Sequence, residues 1–294
     1  MAAIATVCTT TMHPTIPEPL VITGASGQVG RALVAALQAR GIRAQALVRQ
    51  PAQLSGCDEC VDWLVSPAAQ QALTAAAAVV HLAGNLNPAR GDYAAANIAT
   101  AERVAAAVHP GSCKRLVFLS FLGAASGSSN AYLASKAAAE AILQARGVPT
   151  TILRCSHIIG SPDQPGPTAR SLLAGRGGLV TVLGSGQQCW APVALADVVA
   201  AILAALEQNR DGCFDLQGPD VFSLKALIDL LNPGKRVRRL RIPARVAPLL
   251  RFAGLPRALI AVMLADCVSP GPPAAALAAP AFGLRLTPLR DLWS

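Results

Sequence analysis

The chain has 294 residues, of which 53% are hydrophobic and only 14% are charged. This composition excludes an intrinsically disordered protein, and the length allows one large hydrophobic core or two modest ones. The formal net charge is +9, but aromatic residues are only 4% of the chain and do not alternate with the basic ones, so a nucleic-acid partner is not expected.

The start of the chain contains no recognisable targeting signal. The first 19 residues lack a basic start followed by an apolar block, and no run of 18 uninterrupted apolar residues occurs in the chain. We therefore expect no export signal and no membrane-spanning helix, and predict a cytoplasmic protein with a flexible leader over residues 1–19. The eight cysteines are irregularly spaced, so reduced thiols and no metal site are expected.

The first strong pattern begins with an apolar run over residues 20–22. It continues as Thr23, Gly24, Ala25, Ser26, Gly27, Gln28, Val29 and Gly30, followed by an apolar helical pattern to Leu37. This order predicts a strand, a glycine turn and a helix. Glycines at intervals of three allow a sharp turn, a close approach of the backbone to a pyrophosphate and tight packing of the helix. Because a helix N-terminus favours an anion, the stretch is a candidate nucleotide site.

A second strand is predicted at residues 42–48 and ends immediately before Arg49. In dinucleotide-binding folds the end of the second strand reaches the adenosine ribose. An acid there binds the 2′-hydroxyl group, whereas an arginine suits a 2′-phosphate. Arg49 has no acid beside it, so the sequence predicts NADP(H), with NAD(H) less well matched.

Strands and helices then alternate as far as residue 216. Strands are predicted at residues 60–65, 78–84, 115–120, 150–155 and 212–216, and helices at 67–77, 93–108, 132–145 and 193–206. This alternation predicts an α/β fold with a Rossmann-type, doubly wound parallel sheet. His81 lies inside an apolar strand, so a structural role in the core is expected for it.

The pattern changes after residue 217, which predicts a small C-terminal substrate lobe over residues 218–294 beside a nucleotide-binding domain over 20–217, with 156–190 contributing to the lobe. Within residues 168–186 a short helix and a glycine-rich turn are expected. In the C-terminal lobe, Ser223 is a predicted N-cap, and the proline- and alanine-rich residues 269–281 are predicted to be linker.

Two further segments of the C-terminal lobe have more than one interpretation. The basic run at residues 235–241 reads as a strand edge with Val237 and Leu240 facing inward, or as a contact for an anionic partner. The apolar region 244–268, interrupted near Gly254, reads as the core of the lobe, as a lid over a hydrophobic substrate, or as a peripheral membrane contact.

Tyr132 and Lys136 carry the predicted chemistry. They are four residues apart, so both side chains lie on one helix face. A lysine one turn along the helix favours the phenolate and reaches a nucleotide ribose, which allows Tyr132 to exchange a proton with a carbonyl or alcohol. Ser120, at a strand end, is a candidate to hydrogen-bond the reacting oxygen, and Asn97 to hold a helix distortion or a proton-relay water.

Several motifs together resemble the short-chain dehydrogenase/reductases over residues 20–245. They are the glycine turn, Ser120-Phe-Leu-Gly-Ala, Tyr132-x-x-Ser-Lys136-x-x-x-Glu140, Thr151-Ile-Leu-Arg154, Pro192-Val193-x-x-x-Asp197 and Gly218-Pro219-Asp220. The pattern is most similar to the extended and atypical branches, including the group of the 39-kDa-type accessory subunit of respiratory complex I.

The resemblance implies roles for specific residues. Residues 24–30 form the pyrophosphate loop, Arg49 contacts the 2′-phosphate, and Tyr132 and Lys136 are the catalytic or nicotinamide-ribose pair. The turn Leu82, Ala83 and Gly84 lies on the adenine side. The sequence departs from the family at two places: Phe121 and Leu122 occupy the positions where a catalytic serine is usual, and Trp63, with Asp62 beside it, occupies that of an adenine-binding aspartate.

Three functions follow as hypotheses. The first is an NADP-dependent oxidoreductase acting on a carbonyl or alcohol of a small molecule, as a monomer or homodimer. The second, motivated by the departures at Leu122 and Trp63, is a protein that binds NADPH for sensing or assembly without catalysis. The third is a sugar-nucleotide epimerase, against which Arg49 argues.

Overall fold

The computed structural model describes residues 15–208, 210–271 and 276–294, so most of the predicted leader lies outside the described residues. In chain order the strands are β1 (Leu20–Thr23), β2 (Ala44–Leu47), β3 (Cys57–Cys60), β4 (Ala78–His81), β5 (Arg115–Phe121), β6 (Thr150–Cys155), β7 (Ile158–Ile159), β8 (Leu179–Leu183), β9 (Cys189–Trp190), β10 (Val193–Ala194), β11 (Gly212–Leu216), β12 (Phe222–Ser223) and β13 (Arg238–Ile242). Seven of them form one parallel sheet in the order β11-β6-β5-β4-β1-β2-β3. The chain order reverses between β1 and β4, and the predicted doubly wound α/β fold is confirmed.

Helices cover both faces of this sheet. They are α1 (Gln28–Ala39), α2 (Pro67–Ala75), α3 (Ala99–Ala107), α4 (Ala131–Gln144), α5 (Gly166–Leu172), α6 (Leu195–Glu207), α7 (Leu224–Leu231), α8 (Arg257–Leu264), α9 (Ala278–Phe282) and α10 (Leu289–Leu292). Buried residues of α1, α6 and α9 form the core on one face, and those of α2, α3 and α4 form the core on the other. Every residue of β1 and β4 is buried, as expected for central strands of a parallel sheet.

A third hydrophobic cluster lies beyond the carboxyl ends of the strands. It combines α5, β8, β9 and α7, and Trp190 is completely buried in it. Ser223 caps α7 as predicted, because its hydroxyl accepts a hydrogen bond from the Ala226 amide at 3.2 Å. No helix in the described part of the chain is long and apolar enough to cross a bilayer.

Two local predictions are wrong, and one strand was not predicted. The third strand is Cys57–Cys60 and not residues 60–65, because the chain turns at Asp62, where φ is +53°. Within residues 168–186 a strand, Leu179–Leu183, follows the short helix and pairs with β13. Leu240 is 53% exposed, because its neighbour Arg239 turns inward to pair with Asp229 on α7, and successive side chains of a strand point to opposite faces.

The segment predicted as linker is also part of the core in its described portion. Ala278 and Ala281 of α9 are buried. Immediately after the predicted linker, the Phe282 ring packs edge-on against the Phe214 ring of β11, with 5.0 Å between the ring centroids. Asp197 on α6 accepts hydrogen bonds from the Thr287 amide at 2.7 Å and the Thr287 hydroxyl at 2.9 Å. Alanine and proline composition misleads here because small residues also suit a helix that packs closely against the sheet layer.

A pair of phenylalanine substitutions tests this packing. Phe282→Ala removes a ring that is 4% exposed and should lower the free energy of unfolding by about 3 kcal/mol, through lost burial and the cavity left behind. Phe252→Ala removes a ring that is 77% exposed and should change it by less than about 0.5 kcal/mol. Urea denaturation of both variants measures the difference; equal effects would contradict a packed C-terminal segment.

Candidate functional site

The glycine turn joins β1 to α1 and lies against the end of β4. Gly24 has φ of +70°, and a Cβ atom there would lie 2.7 Å from the backbone of Leu82 and Ala83. A Cβ on Gly30 would lie 2.5 Å from the Cα of Ala25. Only glycine fits at both positions, and no side chain caps the first turn of α1. The turn therefore leaves exposed backbone donors at the point where the strand order reverses.

Two arginines lie near this turn, on the side of β2. Arg49 is exposed two residues after β2, whose last residue, Leu47, accepts a hydrogen bond from the Gly24 amide at 3.3 Å. Arg31, in the first turn of α1, donates to the Ser26 carbonyl at 3.0 Å and to the Ala52 carbonyl at 3.3 Å. Sequence reasoning missed Arg31, although its place one residue after the last glycine was a usable signal.

Trp63 stands at the position where the family commonly has an adenine-binding aspartate, and it is a core residue. Trp63 is 2% exposed and packs in the cluster under α2 and α3, while Asp62 points to solvent. The departure noted in the sequence is therefore structural: a large aromatic residue fills the layer below the sheet edge.

Asn97 fastens the turn after β4 to α4. It lies in a π-helical turn, Ala94–Ile98, which is the helix distortion suggested from the sequence. Its side-chain oxygen accepts from the Asn85 amide at 2.9 Å, and its side-chain nitrogen donates to the Ser135 hydroxyl at 2.9 Å. Gly84 passes so close that a Cβ there would lie 2.8 Å from that oxygen. Asn97 thus fixes the Gly84 turn beside the helix that carries Tyr132.

Tyr132 is buried near the start of α4, whose N-cap is Asn130. Its ring packs against Phe121 at 5.4 Å and Tyr93 at 5.9 Å. Burial raises the pKa of Tyr132, and the nearby Cys155 acts in the same direction. The phenol is therefore neutral at physiological pH. In this structure the burial of the ring, more than the charge of Lys136, sets the direction of the shift in the Tyr132 pKa.

Lys136 lies one helical turn further along the same face. Its ammonium group donates to the Leu119 carbonyl at 2.7 Å and sits 4.1 Å from the centre of the Phe118 ring. Burial lowers the pKa of Lys136 to about 8, although Glu140 acts in the opposite direction. A buried cation with few fixed partners is a feature typical of functional sites.

Ser120 is bound to a different group from the one expected. Its hydroxyl donates to Glu140 at 2.5 Å, and Glu140 also accepts from Arg154 at 3.0 and 2.5 Å. This network links β5, α4 and β6 behind the reacting groups. Leu122, at a position where the family usually has serine, is buried in the cluster of the C-terminal lobe.

One cavity of about 860 Å³ joins these residues to the C-terminal lobe. Lys136 is the only charged side chain among the described residues that line it. The far wall is aliphatic and comes mainly from residues 224–263. The cavity lining on that side consists of Leu183, Leu224, Ile242, Leu250, Leu255, Leu259, Ile260 and Met263.

His157 is a cavity residue that sequence reasoning missed. It lies two residues after β6, is 3% exposed, and stacks on Trp190 at 3.9 Å. Burial lowers the pKa of His157 to about 3, so the imidazole is neutral, and its Nε2 atom has no protein partner in the described residues. The signal available in the sequence was its place at the carboxyl end of a buried strand, where ligands bind in such sheets.

The buried ammonium of Lys136 makes stability depend on pH in one direction. At pH values between the folded-state pKa of about 8 and the ordinary value of 10.5, Lys136 is protonated more often in the unfolded chain than in the folded protein. The free-energy cost of burying its ammonium group therefore falls as the pH rises. The stability of the parent protein relative to Lys136→Met should therefore increase by about 2 kcal/mol between pH 8 and 9.5. Urea titrations of both proteins at each pH measure this; a constant difference would contradict the lowered pKa.

Comparison with known proteins agrees with this architecture. The model of the NAD dependent epimerase/dehydratase family matches residues 20–214. A relative from Arabidopsis thaliana, named NADH dehydrogenase [ubiquinone] 1 alpha subcomplex subunit 9, mitochondrial, is 30% identical over 226 residues. That alignment covers 71% of this chain and 56% of the relative, so the chain spans little more than half of the relative's length.

Solved structures show the same fold at low sequence identity. MoeE5 in complex with UDP-glucose and NAD has a TM-score of 0.74 at 20% identity, with 93% of this chain and 95% of that chain covered. UDP-glucuronic acid 4-epimerase from Bacillus cereus, in complex with NAD, has a TM-score of 0.63 at 18% identity, covering 84% and 96%. Together with the family match, these findings show that the chain belongs to the NAD dependent epimerase/dehydratase family, within the extended short-chain dehydrogenase/reductases that its motifs resemble.

Proposed function

We propose that the protein is an NADP-dependent oxidoreductase that reduces the carbonyl group of an uncharged, apolar small molecule, or oxidises the corresponding alcohol. The observation that carries the proposal is the buried, neutral phenol of Tyr132 in the same apolar cavity as Lys136. Membership of the family supports the dinucleotide; the preference for NADP and the substrate class are our inferences from the site.

The residues around the glycine turn fit a dinucleotide. Gly24 and Gly30 keep side chains out of the backbone cradle, and Gln28, at the start of α1, has a buried side-chain nitrogen with no protein partner in the described residues. In our proposal residues 24–30 hold the pyrophosphate and Arg49 holds the 2′-phosphate. Lys136 and Asn97 lie beside the Gly84 turn and hold the nicotinamide-ribose end.

The bound nicotinamide supplies or accepts the hydride. The chain's own contribution to reduction is the proton: the Tyr132 hydroxyl donates it to the carbonyl oxygen, which becomes the alcohol oxygen. A neutral phenol is the form this step requires, and the ammonium of Lys136 stabilises the phenolate left behind. Oxidation of an alcohol runs the same transfers in reverse and starts from the phenolate.

The cavity lining supports an apolar substrate over a nucleotide sugar. A nucleotide sugar carries a diphosphate, which proteins usually neutralise with arginine or lysine. Lys136 is assigned to the cofactor, and no arginine is among the described residues that line this cavity. His157 and Asn85 are among the neutral polar lining groups that can orient a substrate oxygen; the others include Asn87, Ser156, Thr168, Ser171 and Thr181. We therefore do not favour the sugar-nucleotide epimerase hypothesis.

A second candidate function is NADPH binding without turnover. Leu122 in place of serine and the engagement of Ser120 by Glu140 favour it, since neither of these two positions offers a free hydroxyl to polarise a carbonyl. The relative from Arabidopsis thaliana is named as a subunit of NADH dehydrogenase, which suits a role in an assembly. The cytoplasmic location and the state as monomer or homodimer stay predictions from the sequence.

Replacing the phenol distinguishes the two functions. Tyr132→Phe should lower NADPH oxidation with a panel of apolar ketones and aldehydes by about 100-fold or more, because the proton donor is lost. Its affinity for NADPH, measured by fluorescence titration, should stay within about threefold of the parent, since the ring still packs against Phe121. Parent and variant that bind NADPH equally but turn over no substrate would support the second function.

Arg49 determines the choice of cofactor in this proposal. Arg49→Ala should weaken NADPH binding by about tenfold and NADH binding by less than twofold, because only NADPH carries the 2′-phosphate. Arg43→Ala is the matched control: Arg43 precedes the opposite end of β2, is exposed and pairs with Asp58. Calorimetric titration with both cofactors measures the effect; equal losses for NADPH and NADH at Arg49→Ala would contradict the assignment.

A further inference from the structure

The positive charge of the chain is concentrated in one segment of the C-terminal lobe. Residues 230–265 contain eight of the 25 lysines and arginines and none of the 16 acids. The formal charge of all other residues together is therefore only +1, against +9 for the chain. Charge this uneven produces a strong local potential, since no acid within the segment compensates it.

Most of these cations point to solvent. Arg239 pairs with Asp229 on α7. The side chains of Arg238, Arg241, Arg245, Arg251 and Arg257 are exposed. Arg238 and Arg241 lie on β13 and Arg245 in the turn after it. Arg251 lies on the following 3₁₀ turn (Ala247–Ala253) and Arg257 at the start of α8, so the five arginines come from consecutive elements of the chain.

Large apolar side chains are exposed between these arginines. Phe252 is 77% exposed and Leu249 is 59% exposed on the 3₁₀ turn, with Val246 and Leu240 nearby in the chain. Leu179, which is 45% exposed, lies opposite Arg238 in the β8–β13 ladder. Five of the eight exposed large hydrophobic residues in the described chain therefore lie in this basic segment or pair with it.

A cleft of about 450 Å³ adjoins the surface and is itself basic. Arg90, Arg251 and Arg257 contribute to its lining, and no acidic side chain is among its described lining residues. Leu255 lines both this cleft and the main apolar cavity, so the two spaces have a common wall. Three arginine side chains around a concave site match the chemistry of a phosphate group.

We propose that this surface docks the protein on an anionic phospholipid bilayer. The arginines meet lipid phosphates, one of which enters the Arg90, Arg251 and Arg257 cleft, and Leu249 and Phe252 insert below the head groups. Arginine attracts the anionic surface, and exposed phenylalanine and leucine add burial among the acyl chains. The contact is peripheral and needs no spanning helix.

The exposed apolar residues distinguish a bilayer from a nucleic acid. A nucleic-acid backbone is met by basic and polar groups, and unpaired bases are stacked on aromatic platforms. Here one phenylalanine stands among aliphatic residues, with Arg251 over its ring at 4.5 Å. Leu250, from the same turn, lines the apolar cavity on the inner side, so the proposed bilayer contact lies directly above the substrate space.

Co-sedimentation with vesicles tests the proposal on the full chain. The protein should pellet with vesicles of phosphatidylcholine and phosphatidylglycerol (3:1), at least tenfold more than with phosphatidylcholine alone. Raising NaCl from 0.1 to 0.5 M should weaken the binding severalfold, because the Debye length falls below about 5 Å. Failure of the intact protein to pellet with the anionic vesicles would overturn the proposal.

Two variants and two controls separate the contributions. Leu249→Ser with Phe252→Ser, and separately Arg251→Glu with Arg257→Glu, should each reduce vesicle binding at least fivefold. Two control substitutions should leave vesicle binding unchanged. They are Val65→Ser, at a residue that is 79% exposed and lies outside the basic segment, and Lys114→Glu, at the opposite end of the sheet. Thermal melting checks that each variant is folded. Equal losses in controls and variants would contradict the assigned surface.

Nucleic-acid binding is an outcome of the same series. If duplex DNA binds at 0.15 M NaCl as tightly as the anionic vesicles, and Leu249→Ser with Phe252→Ser changes neither affinity, the surface is a general polyanion site and the bilayer proposal fails. The readout does not depend on turnover, so loss of the proposed reductase activity would leave this test intact.

Discussion

The close contact between two strand-end turns is the constraint on which the rest of the site depends. Gly24 after β1 approaches the backbone of Leu82 and Ala83 after β4 so closely that a side chain at position 24 has no room. This contact occurs where the strand order reverses, so it fixes the floor of the crevice in which α/β proteins bind ligands. The turn after β4 is held in turn by Asn97, which also contacts the helix carrying Tyr132 and Lys136. The glycine turn and the helix that carries Tyr132 and Lys136 are therefore connected by the Gly24 backbone contact and the two Asn97 side-chain hydrogen bonds.

Burial determines how the reacting pair behaves. The same apolar surroundings raise the pKa of Tyr132 and lower that of Lys136, which brings both groups closer to their uncharged forms. The raised pKa keeps the proton on the Tyr132 phenol, so its transfer to a carbonyl in the proposed reaction relies on the charge of Lys136 to stabilise the phenolate that forms. That balance suits an apolar substrate, which offers no charge of its own to interact with the protein.

The sheet, and the grouping of the candidate site residues around one cavity, were predictable from the sequence because they follow from local patterns. Glycine spacing, apolar strands and the four-residue separation of Tyr132 and Lys136 each depend on a short window of chain. The roles of Ser120 and His157 were not predictable in this way. The bond from Ser120 to Glu140 and the stacking of His157 on Trp190 join residues from different elements. The packed helix at Ala278–Phe282 was missed for a related reason, since its partners lie on α6 and β11.

The uneven distribution of charge affects how strongly copies of the protein repel one another in solution. Because residues 230–265 supply nearly all of the net charge, the isoelectric point of about 9.6 is determined largely by this one segment. When this segment is covered or its charge is neutralised, the other residues together carry a formal charge near zero. Electrostatic repulsion between molecules then no longer opposes self-association. Residues 230–265 therefore also supply most of the electrostatic repulsion between copies of the protein in solution. During purification in low salt, the same segment should bind any polyanion that is present.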